Sequence, residues 1–194
     1  MTGIIILAAG PSSRLGLPKQ NLVYENQTLL QRNIKAALAT GCHPVTVILG
    51  ANNNVILPTI ENLPIEIAYN DNWIEGMSSS IRTGITHLQK NHGKISSVIL
   101  MLCDQPFVTT DVLLQLVEAS SPESIVACAY NDAVGPPVFF ARHYFPHLLL
   151  LKGNEGAKLL IHKYEAHVIT IPFGKGDMDI DTMEDFERLK GLSK

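Results

Sequence analysis

The chain has 194 residues, of which 46% are hydrophobic and 17% are charged, and its formal net charge is −3. This composition is typical of a globular protein and excludes an intrinsically disordered chain. The length fits a single domain over residues 1–194. The slight acidity gives no basic patch for nucleic acid, so the expected partner is a small molecule.

Three cysteines, Cys42, Cys103 and Cys128, lie far apart without a C-x-x-C pair. An odd number at such spacing is typical neither of a disulfide framework nor of a structural zinc site. The apolar start of the chain is too short for a signal-peptide core, and no apolar run approaches the roughly 18 residues of a membrane span. We therefore expect reduced, buried thiols at positions 103 and 128 and a soluble, cytoplasmic protein.

Short apolar runs rich in β-branched residues alternate along the chain with helical patterns. Such runs predict strands that are buried on both faces, and their alternation with helices predicts an α/β fold with a mainly parallel sheet. The predicted strands are Ile4–Leu7, Val45–Leu49, Ile65–Tyr69, Val98–Leu102, Ile125–Ala129 and Val168–Ile171. The predicted helices are Leu29–Ala39, Ser79–Gln89, Asp111–Ala119, Gly156–Tyr164 and Thr182–Lys190.

Local signals mark the ends of some of these elements. Gly41 predicts the end of the first helix, and Thr182 with Asp185 resembles a capping box at the start of the last one. The two prolines within Gly135–Phe140 predict an edge strand or a bend. Ligands of open parallel sheets bind beyond the carboxyl ends of the strands, so the candidate functional segments should meet there.

The loop after the first predicted strand reads Leu-Ala-Ala-Gly-Pro-Ser-Ser-Arg-Leu-Gly-Leu-Pro-Lys over residues 7–19. Small residues let backbone N–H groups approach an anion, and Arg14 and Lys19 bring two cations to the same loop. A plain turn also needs glycine, so a turn and a phosphate site both stay open on spacing alone. The loop carries neither the dinucleotide pattern nor the Walker pattern.

Two further segments place carboxylates near predicted strand ends or turns. Asp104 follows a buried strand, where it can hold Mg²⁺ or cap the turn before a proline. Asp177, Asp179 and Asp181 occupy alternate positions, and in an extended segment their like charges share one face. The alternative for this second segment is a solvated turn before a capped helix.

Gly76–Ser80 reads Gly-Met-Ser-Ser-Ser and precedes a predicted helix. A serine-rich segment of this kind is typical of a helix N-cap. Its hydroxyls and free N–H groups can also bind a polar ligand, for which Ser78 and Ser79 are the candidates.

These segments together resemble the nucleotidyltransferases typified by the molybdenum cofactor cytidylyl- and guanylyltransferases. The pattern L-A-A-G-x-S-x-R-[LM]-G-x-x-K is similar to the signature loop of that family, and its double alanine resembles the cytidylyltransferase branch. The resemblance covers nearly the whole chain and implies a Rossmann-like, three-layer fold with a mainly parallel central sheet. It implies an enzyme that transfers CMP from CTP to a phosphorylated acceptor, molybdenum-bound molybdopterin, and releases pyrophosphate.

The resemblance also assigns roles to residues. It implies that Arg14, Lys19 and Asp104 are catalytic, and that Asp104 and Asp181 hold Mg²⁺, for which Mn²⁺ can substitute. Whether Asp179 also binds the metal stays open. The residues implied to contact the nucleotide are Leu7, Ala8, Ala9, Gly10, Ser12, Ser13, Ser78 and Ser79.

Gly135–Phe140 and Leu151–Lys158 resemble the segments of the family on the acceptor side. Pro136 stands where a polar residue is frequent and Asn154 where aspartate is usual, which leaves the acceptor open. One alternative is a cytidylyl- or uridylyltransferase that acts on a sugar or alcohol phosphate. Another is a non-catalytic accessory protein that binds a nucleotide or the molybdenum cofactor. A molybdoenzyme is the expected recipient of the product.

Overall fold

The computed structural model describes residues 1–131 and 133–192. The strands are β1 (Thr2–Leu7), β2 (Val23–Tyr24), β3 (Gln27–Thr28), β4 (Val45–Leu49), β5 (Glu66–Tyr69), β6 (Ser97–Leu102), β7 (Ile125–Tyr130), β8 (Ala133–Ala141) and β9 (Val168–Pro172). The helices are α1 (Leu29–Ala39), α2 (Asn53–Ile56), α3 (Met77–Asn91), α4 (Thr110–Glu118), α5 (Phe145–Leu149), α6 (Ala157–Lys163) and α7 (Met183–Gly191). Each predicted strand and helix is present, with its ends shifted by no more than a few residues.

Within the described residues, seven strands form a central sheet in the order β5-β4-β1-β6-β8-β7-β9, and β2 pairs with β3 in a separate hairpin. Strands β5, β4, β1 and β6 are mutually parallel, and β9 is parallel to β7. Strand β8 is antiparallel to both of its neighbours. The predicted α/β fold with a mainly parallel sheet is confirmed.

Of the two expectations for Gly135–Phe140, the edge strand was wrong, because the segment lies within β8 in the interior of the sheet, whereas the bend corresponds to a β-bulge at the prolines. The register against β7 shifts between the pairs Ala127 with Val138 and Cys128 with Gly135. Pro136 and Pro137 fall inside that shift, and the pairing with β6 ends at Val138. Since the two prolines lie in a β-bulge, they do not need to donate hydrogen bonds to a neighbouring strand.

Helices cover the sheet, so that the fold has three layers. Helix α1 packs against α4, and helix α3 packs against α5. Ile4, Ile5 and Ile6 of β1 are fully buried, as expected for a central parallel strand. A Cβ atom at Gly84 of α3 would lie 2.8 Å from Ile5 Cδ1, so glycine allows this helix to approach β1 closely.

The predicted end signals are confirmed. Gly41 follows α1 with a φ of +73°, and Thr182 forms a capping box with Asp185 at the start of α7. Cys103 and Cys128 are buried. In residues 1–131 and 133–192, no helix combines the length and the apolar character that a membrane span requires.

Candidate active site

A cleft of about 480 Å³ opens where β1 and β6 end. These two strands are parallel neighbours in the sheet, so the segments that follow them lie side by side. The predicted residues that line the cleft are Leu7, Ala9, Gly10, Arg14, Lys19, Asp104 and Asp181, and Asp179 lines it as well. The structure therefore brings together the loop after β1, the residue after β6 and the segment before α7.

Two cations and two carboxylates form a connected cluster in this cleft. The Lys19 Nζ donates to Asp104 Oδ2 and, at 3.0 Å, to Asp181 Oδ1. The Arg14 Nη2 donates to Asp181 Oδ2 at 3.0 Å. Lys19 and Asp104 have side chains that are 16% and 12% exposed, whereas that of Arg14 is 70% exposed. The Lys19–Asp104 pair is therefore poorly screened by solvent, and the Arg14 contact lies at the rim.

Burial and charge act in opposite directions on Lys19. Burial by itself lowers its pKa, but the Asp104 charge and the hydrogen bonds to Asp104 and Asp181 raise the pKa above its usual value. The side chain therefore stays a cation at any physiological pH. On the other partner, Asp104 Oδ1 is buried and has no hydrogen-bond partner among the described residues.

Asp179 lines both this cleft and a smaller neighbouring compartment of about 280 Å³. Burial raises the pKa of its carboxyl from 3.8 to about 6, and the nearby Asp104 charge adds to the effect, while a hydrogen bond with Gln105 opposes it. Three carboxylates, Asp104, Asp179 and Asp181, therefore share this cleft with the two cations Arg14 and Lys19.

The loop after β1 is held in shape by Gln20, which is fully buried. Its Nε2 donates to Ala8 O at 2.8 Å and to Gly10 O at 3.2 Å, and its Oε1 accepts from Ser12 Oγ. The Ser12 Oγ in turn accepts from Lys19 N at 3.1 Å. This network fixes the backbone from which the Lys19 side chain extends. The sequence offers no signal for it, because a buried loop glutamine has the same local pattern as an exposed one.

An apolar cluster brings the C-terminal segment to this loop. Leu15 and Leu22 from the loop region pack with Ile180, Phe186 and Leu189 from the chain end. The backbone also contributes, since Ile180 N donates to Asp104 O at 3.0 Å. Burial of Ile180 therefore sets the position of the neighbouring carboxylates, which explains how residues more than 160 positions apart in the sequence meet.

The residues predicted to contact the nucleotide differ in whether they line a cavity. Leu7, Ala9 and Gly10 line the cleft, whereas Ala8 does not, and its N–H donates to Ile48 O. Ser12 and Ser13 line a smaller cavity of about 200 Å³ beside Arg14. Ser78 and Ser79 are 0% and 3% exposed and do not line the cleft.

The N-terminus of α3 forms the opposite wall of the cleft. Gly76, Met77 and Ser80 line it there, together with Trp73, which is partly buried and also packs against the core. The hydroxyls of the neighbouring serines are used internally: Ser78 Oγ accepts from Arg82 Nη1, and Ser79 Oγ donates to Gly76 O. These two serines therefore shape the start of the helix.

A second compartment of about 280 Å³ adjoins the cleft. It shares four lining residues with the main cleft, namely Met77, Leu102, Asn154 and Asp179. Its remaining lining residues are Gln105, Tyr130, Pro136, Gly156, Ala157 and Lys158. Both segments that resemble acceptor-side motifs therefore contribute to one compartment beside the charged cluster.

The two compartments are joined through a backbone contact. Ser78 N donates to Gly153 O at 3.1 Å. Gly76 has a φ of +103°, and a Cβ atom there would lie 2.4 Å from Asn154 Oδ1 and 2.5 Å from Gly153 O. Glycine is therefore required at this position both by its backbone conformation and by the close approach of the loop.

Comparison with known proteins gives a consistent picture. The profile of the MobA-like NTP transferase domain matches residues 4–168. The nicotine blue oxidoreductase of Paenarthrobacter nicotinovorans is 29% identical, and the alignment covers 97% of this chain and 96% of that protein. The molybdenum cofactor cytidylyltransferase of Escherichia coli (strain K12) is 25% identical, with 94% and 92% covered.

A solved structure is also similar over nearly the whole chain. The crystal structure of Rv0371c from Mycobacterium tuberculosis H37Rv, in complex with manganese, has a TM-score of 0.81 and 27% sequence identity. The match covers 98% of this chain and 97% of that one.

Proposed function

The chain belongs to the MobA-like NTP transferase family, whose members are nucleotidyltransferases, and we propose that it transfers CMP from CTP to molybdenum-bound molybdopterin. The observation that supports this most directly is the convergence of Arg14, Lys19, Asp104 and Asp181 in one cleft. Phosphoryl and nucleotidyl transfer depend mainly on positioning and on neutralisation of charge. A site built from two cations and two carboxylates matches that requirement.

The residues present suit a divalent cation. Asp104 Oδ1 is a buried carboxylate oxygen without a partner among the described residues, and Asp181 lies close to Asp104 because both carboxylates contact the Lys19 Nζ. In proteins, Mg²⁺ is commonly held by one or two carboxylates together with phosphate oxygens and water. We assign Asp104 and Asp181 as the residues that hold Mg²⁺ or Mn²⁺.

The mechanism follows from where the side chains lie. An oxygen of the acceptor phosphate attacks the α-phosphorus in line, the bond from that phosphorus to the β-phosphate oxygen breaks, and pyrophosphate leaves. Lys19 and Arg14 neutralise the charge that develops on the leaving group. The bound metal ion supplies Lewis-acid polarisation of the phosphate. Gln20 keeps the loop in the conformation from which Lys19 reaches these groups.

The choice of CTP as the donor is supported by the shape of the cleft wall. Ala9 lines the cleft, and a Cβ atom at Gly50 would lie 2.8 Å from the Ala9 Cβ, so the wall has little space to retreat at this point. The methyl group of Ala9 takes room that a glycine would leave open. This favours a pyrimidine over a purine as the base of the donor.

The proposed acceptor site is the second compartment. Lys158 provides a cation for an acceptor phosphate, while Met77, Leu102 and Pro136 offer apolar surface for a ring system. Pyrophosphate release with a panel of triphosphates and acceptors tests both substrates. We expect release with CTP and Mg²⁺ when molybdenum-bound molybdopterin is present. Equal or faster release with GTP contradicts the donor, and release with a sugar or alcohol phosphate but not with molybdopterin contradicts the acceptor.

A nucleotide-binding protein without transferase activity is a distinct outcome of the same experiment. Thermal unfolding with each triphosphate and Mg²⁺ reports binding independently of turnover, because a ligand that binds the folded state alone raises the melting temperature. A shift with CTP but no pyrophosphate with any acceptor indicates the accessory role. A shift and turnover together support the enzyme.

A second candidate function is oxidoreduction, because one relative at 29% identity carries an oxidoreductase name. Such a reaction needs an electron donor, for which reduced nicotinamide nucleotides are the general choice. Oxidoreduction does not require the charged cluster of Arg14, Lys19, Asp104 and Asp181. Incubation with a reduced nicotinamide nucleotide and an oxidised dye separates the two functions. Dye reduction that survives an Asp104→Asn substitution favours the oxidoreductase.

A further inference from the structure

Lys19 occupies the position between the two carboxylates that a bound cation would also occupy. Its Nζ contacts Asp104 Oδ2 and lies 3.0 Å from Asp181 Oδ1, while Arg14 Nη2 contacts Asp181 Oδ2. Protein cations therefore engage three of the four oxygens of this pair. The fourth, Asp104 Oδ1, is buried without a partner among the described residues.

We propose that Lys19 is a built-in counter-ion that keeps divalent cations out of the cleft until a nucleoside triphosphate binds. In the nucleotide-free protein, Lys19 neutralises Asp104 and Asp181. When the triphosphate enters, Lys19 moves to its phosphates and releases the carboxylates for the metal ion. The identity of the triphosphate rests on the proposed function, but the blocking of the nucleotide-free site by Lys19 does not.

The charge balance supports this order of events. Lys19 and Arg14 contact Asp104 and Asp181 and offset their charge, so a divalent cation that approached these two carboxylates alone would be repelled at short range by the Lys19 ammonium. A triphosphate brings several negative charges and reverses this balance. The metal ion and the triphosphate are therefore expected to bind together, each improving the affinity of the other.

Burial identifies Lys19 as the controlling residue. Its side chain is 16% exposed and that of Asp104 is 12% exposed, so their attraction is weakly screened. Arg14 is 70% exposed, and exposed ion pairs contribute little. Removal of Lys19 should therefore change the cation affinity of the nucleotide-free cleft much more than removal of Arg14.

The lysine can move while its backbone stays in place. Lys19 N is held by Ser12 Oγ at 3.1 Å, and Gln20 fixes the rest of the loop. The four-carbon side chain has enough rotatable bonds to carry the ammonium from the carboxylates to nearby phosphates. No rearrangement of the loop is needed for the exchange.

The test measures Mn²⁺ binding directly, from the electron paramagnetic resonance signal of free Mn²⁺, in nucleotide-free protein. Lys19→Met is compared with the wild type and with Lys90→Met, which removes an exposed lysine from the far end of α3. We expect weak binding in the wild type and in Lys90→Met, and binding about 10 to 100-fold tighter in Lys19→Met. Arg14→Met should change the affinity by less than about threefold. Equal affinity in Lys19→Met and in the wild type overturns the proposal.

A measurement on the wild type alone keeps the proposal testable if Lys19→Met does not fold. Mn²⁺ affinity is measured with and without the triphosphate that raises the melting temperature most. We expect the protein with bound triphosphate to bind Mn²⁺ at least about tenfold more tightly than the free triphosphate does. A Mn²⁺ affinity of the protein that is the same with and without the triphosphate overturns the counter-ion role. Failure of the proposed function is distinct, because it appears as absent pyrophosphate release in a protein whose Mn²⁺ binding still depends on Lys19.

Discussion

The two compartments of the cleft differ in how their residues are held and in what they offer a ligand. The compartment beside the first loop is charged and tightly connected, with Gln20 bonded to the loop backbone and Lys19 bonded to two carboxylates. The neighbouring compartment is lined mainly by uncharged groups, with Lys158 and Asp179 as its charged side chains. Under the proposed function, this division assigns the transfer step to the first compartment and the selection of the acceptor to the second.

The substitution that tests this division most strongly is Asp104→Asn. It keeps the size of the side chain but removes the charge that we assign to the metal ion, and we expect pyrophosphate release to fall by about 10³-fold. The assay uses CTP, Mg²⁺ and acceptor, with the melting temperature as a control for folding. Full Mg²⁺-dependent release by this variant contradicts the assignment of Asp104 and the role of the charged compartment.

The wall between the compartments is tested by Gly76→Ala. The added methyl group meets Asn154 Oδ1 and Gly153 O, and the φ of +103° disfavours any residue with a Cβ atom. We expect the free energy of unfolding in urea to fall by about 2–3 kcal/mol. Gly93→Ala is the matched control, since a Cβ atom there has no neighbour among the described residues within 4 Å. Similar free energies of unfolding for the two variants would show that the loop at Gly153 and Asn154 moves aside at little cost.

The charge of Asp179, which lines both compartments, is tested through the pH dependence of the free energy of unfolding. Because the pKa of Asp179 in the folded protein is about 6, against an ordinary value of 3.8, its ionisation destabilises the fold as pH rises between these values. Asp179→Asn removes this penalty. In metal-free buffer at pH 8, we expect the variant to be more stable than the wild type by roughly 1–2 kcal/mol, after allowance for partial exposure.

The difference between Asp179→Asn and the wild type should shrink as pH falls and disappear below about pH 3, where the folded and unfolded carboxyls are both protonated. Urea unfolding across this pH range measures it. A gap that is the same at every pH refutes burial of the charge as the cause. A wild type that is more stable at pH 8 indicates that Lys19 compensates Asp179 fully.

The smallest expected effect is that of Lys158→Met on the acceptor side. Loss of one partly solvated cation near the acceptor phosphate should raise the acceptor KM by about tenfold. The KM for CTP and the kcat should stay nearly unchanged, because Lys158 does not line the charged compartment. Lys90→Met again provides a surface control. An equal rise in the CTP KM indicates that the two compartments do not divide the substrates as proposed.

The sequence predicted the parts of the molecule that have a local signal. Strong apolar runs located the strands, and Gly41 and Thr182 marked helix ends because caps depend on residues next to each other in the chain. The charged residues of the cleft were also predicted, since Asp104 and the loop of Arg14 and Lys19 follow strand ends. Their meeting point then follows from the geometry of a parallel sheet.

Other features depend on contacts between distant residues, which no local pattern records. The interior position of β8 depends on a bulge that holds both prolines, whereas the prolines alone indicated an edge strand or a bend. The burial of Ser78 depends on the loop at Gly153, which is far away in the sequence and which no local pattern reveals. Gln20 is the most instructive case, because its role exists only once the loop has closed around it.

The hydrogen bond from Ser78 N to Gly153 O gives the two compartments a common mechanical element. If the acceptor binds in the second compartment as proposed, a shift of the 153–156 loop must be accommodated by the N-terminus of α3, which lines the cleft proposed for the nucleotide. The two substrates are then expected to bind with synergy. Reciprocity requires the factor by which the acceptor tightens nucleotide binding to equal the factor by which the nucleotide tightens acceptor binding. Selectivity for the proposed acceptor would therefore also be expressed in how firmly the nucleotide is held.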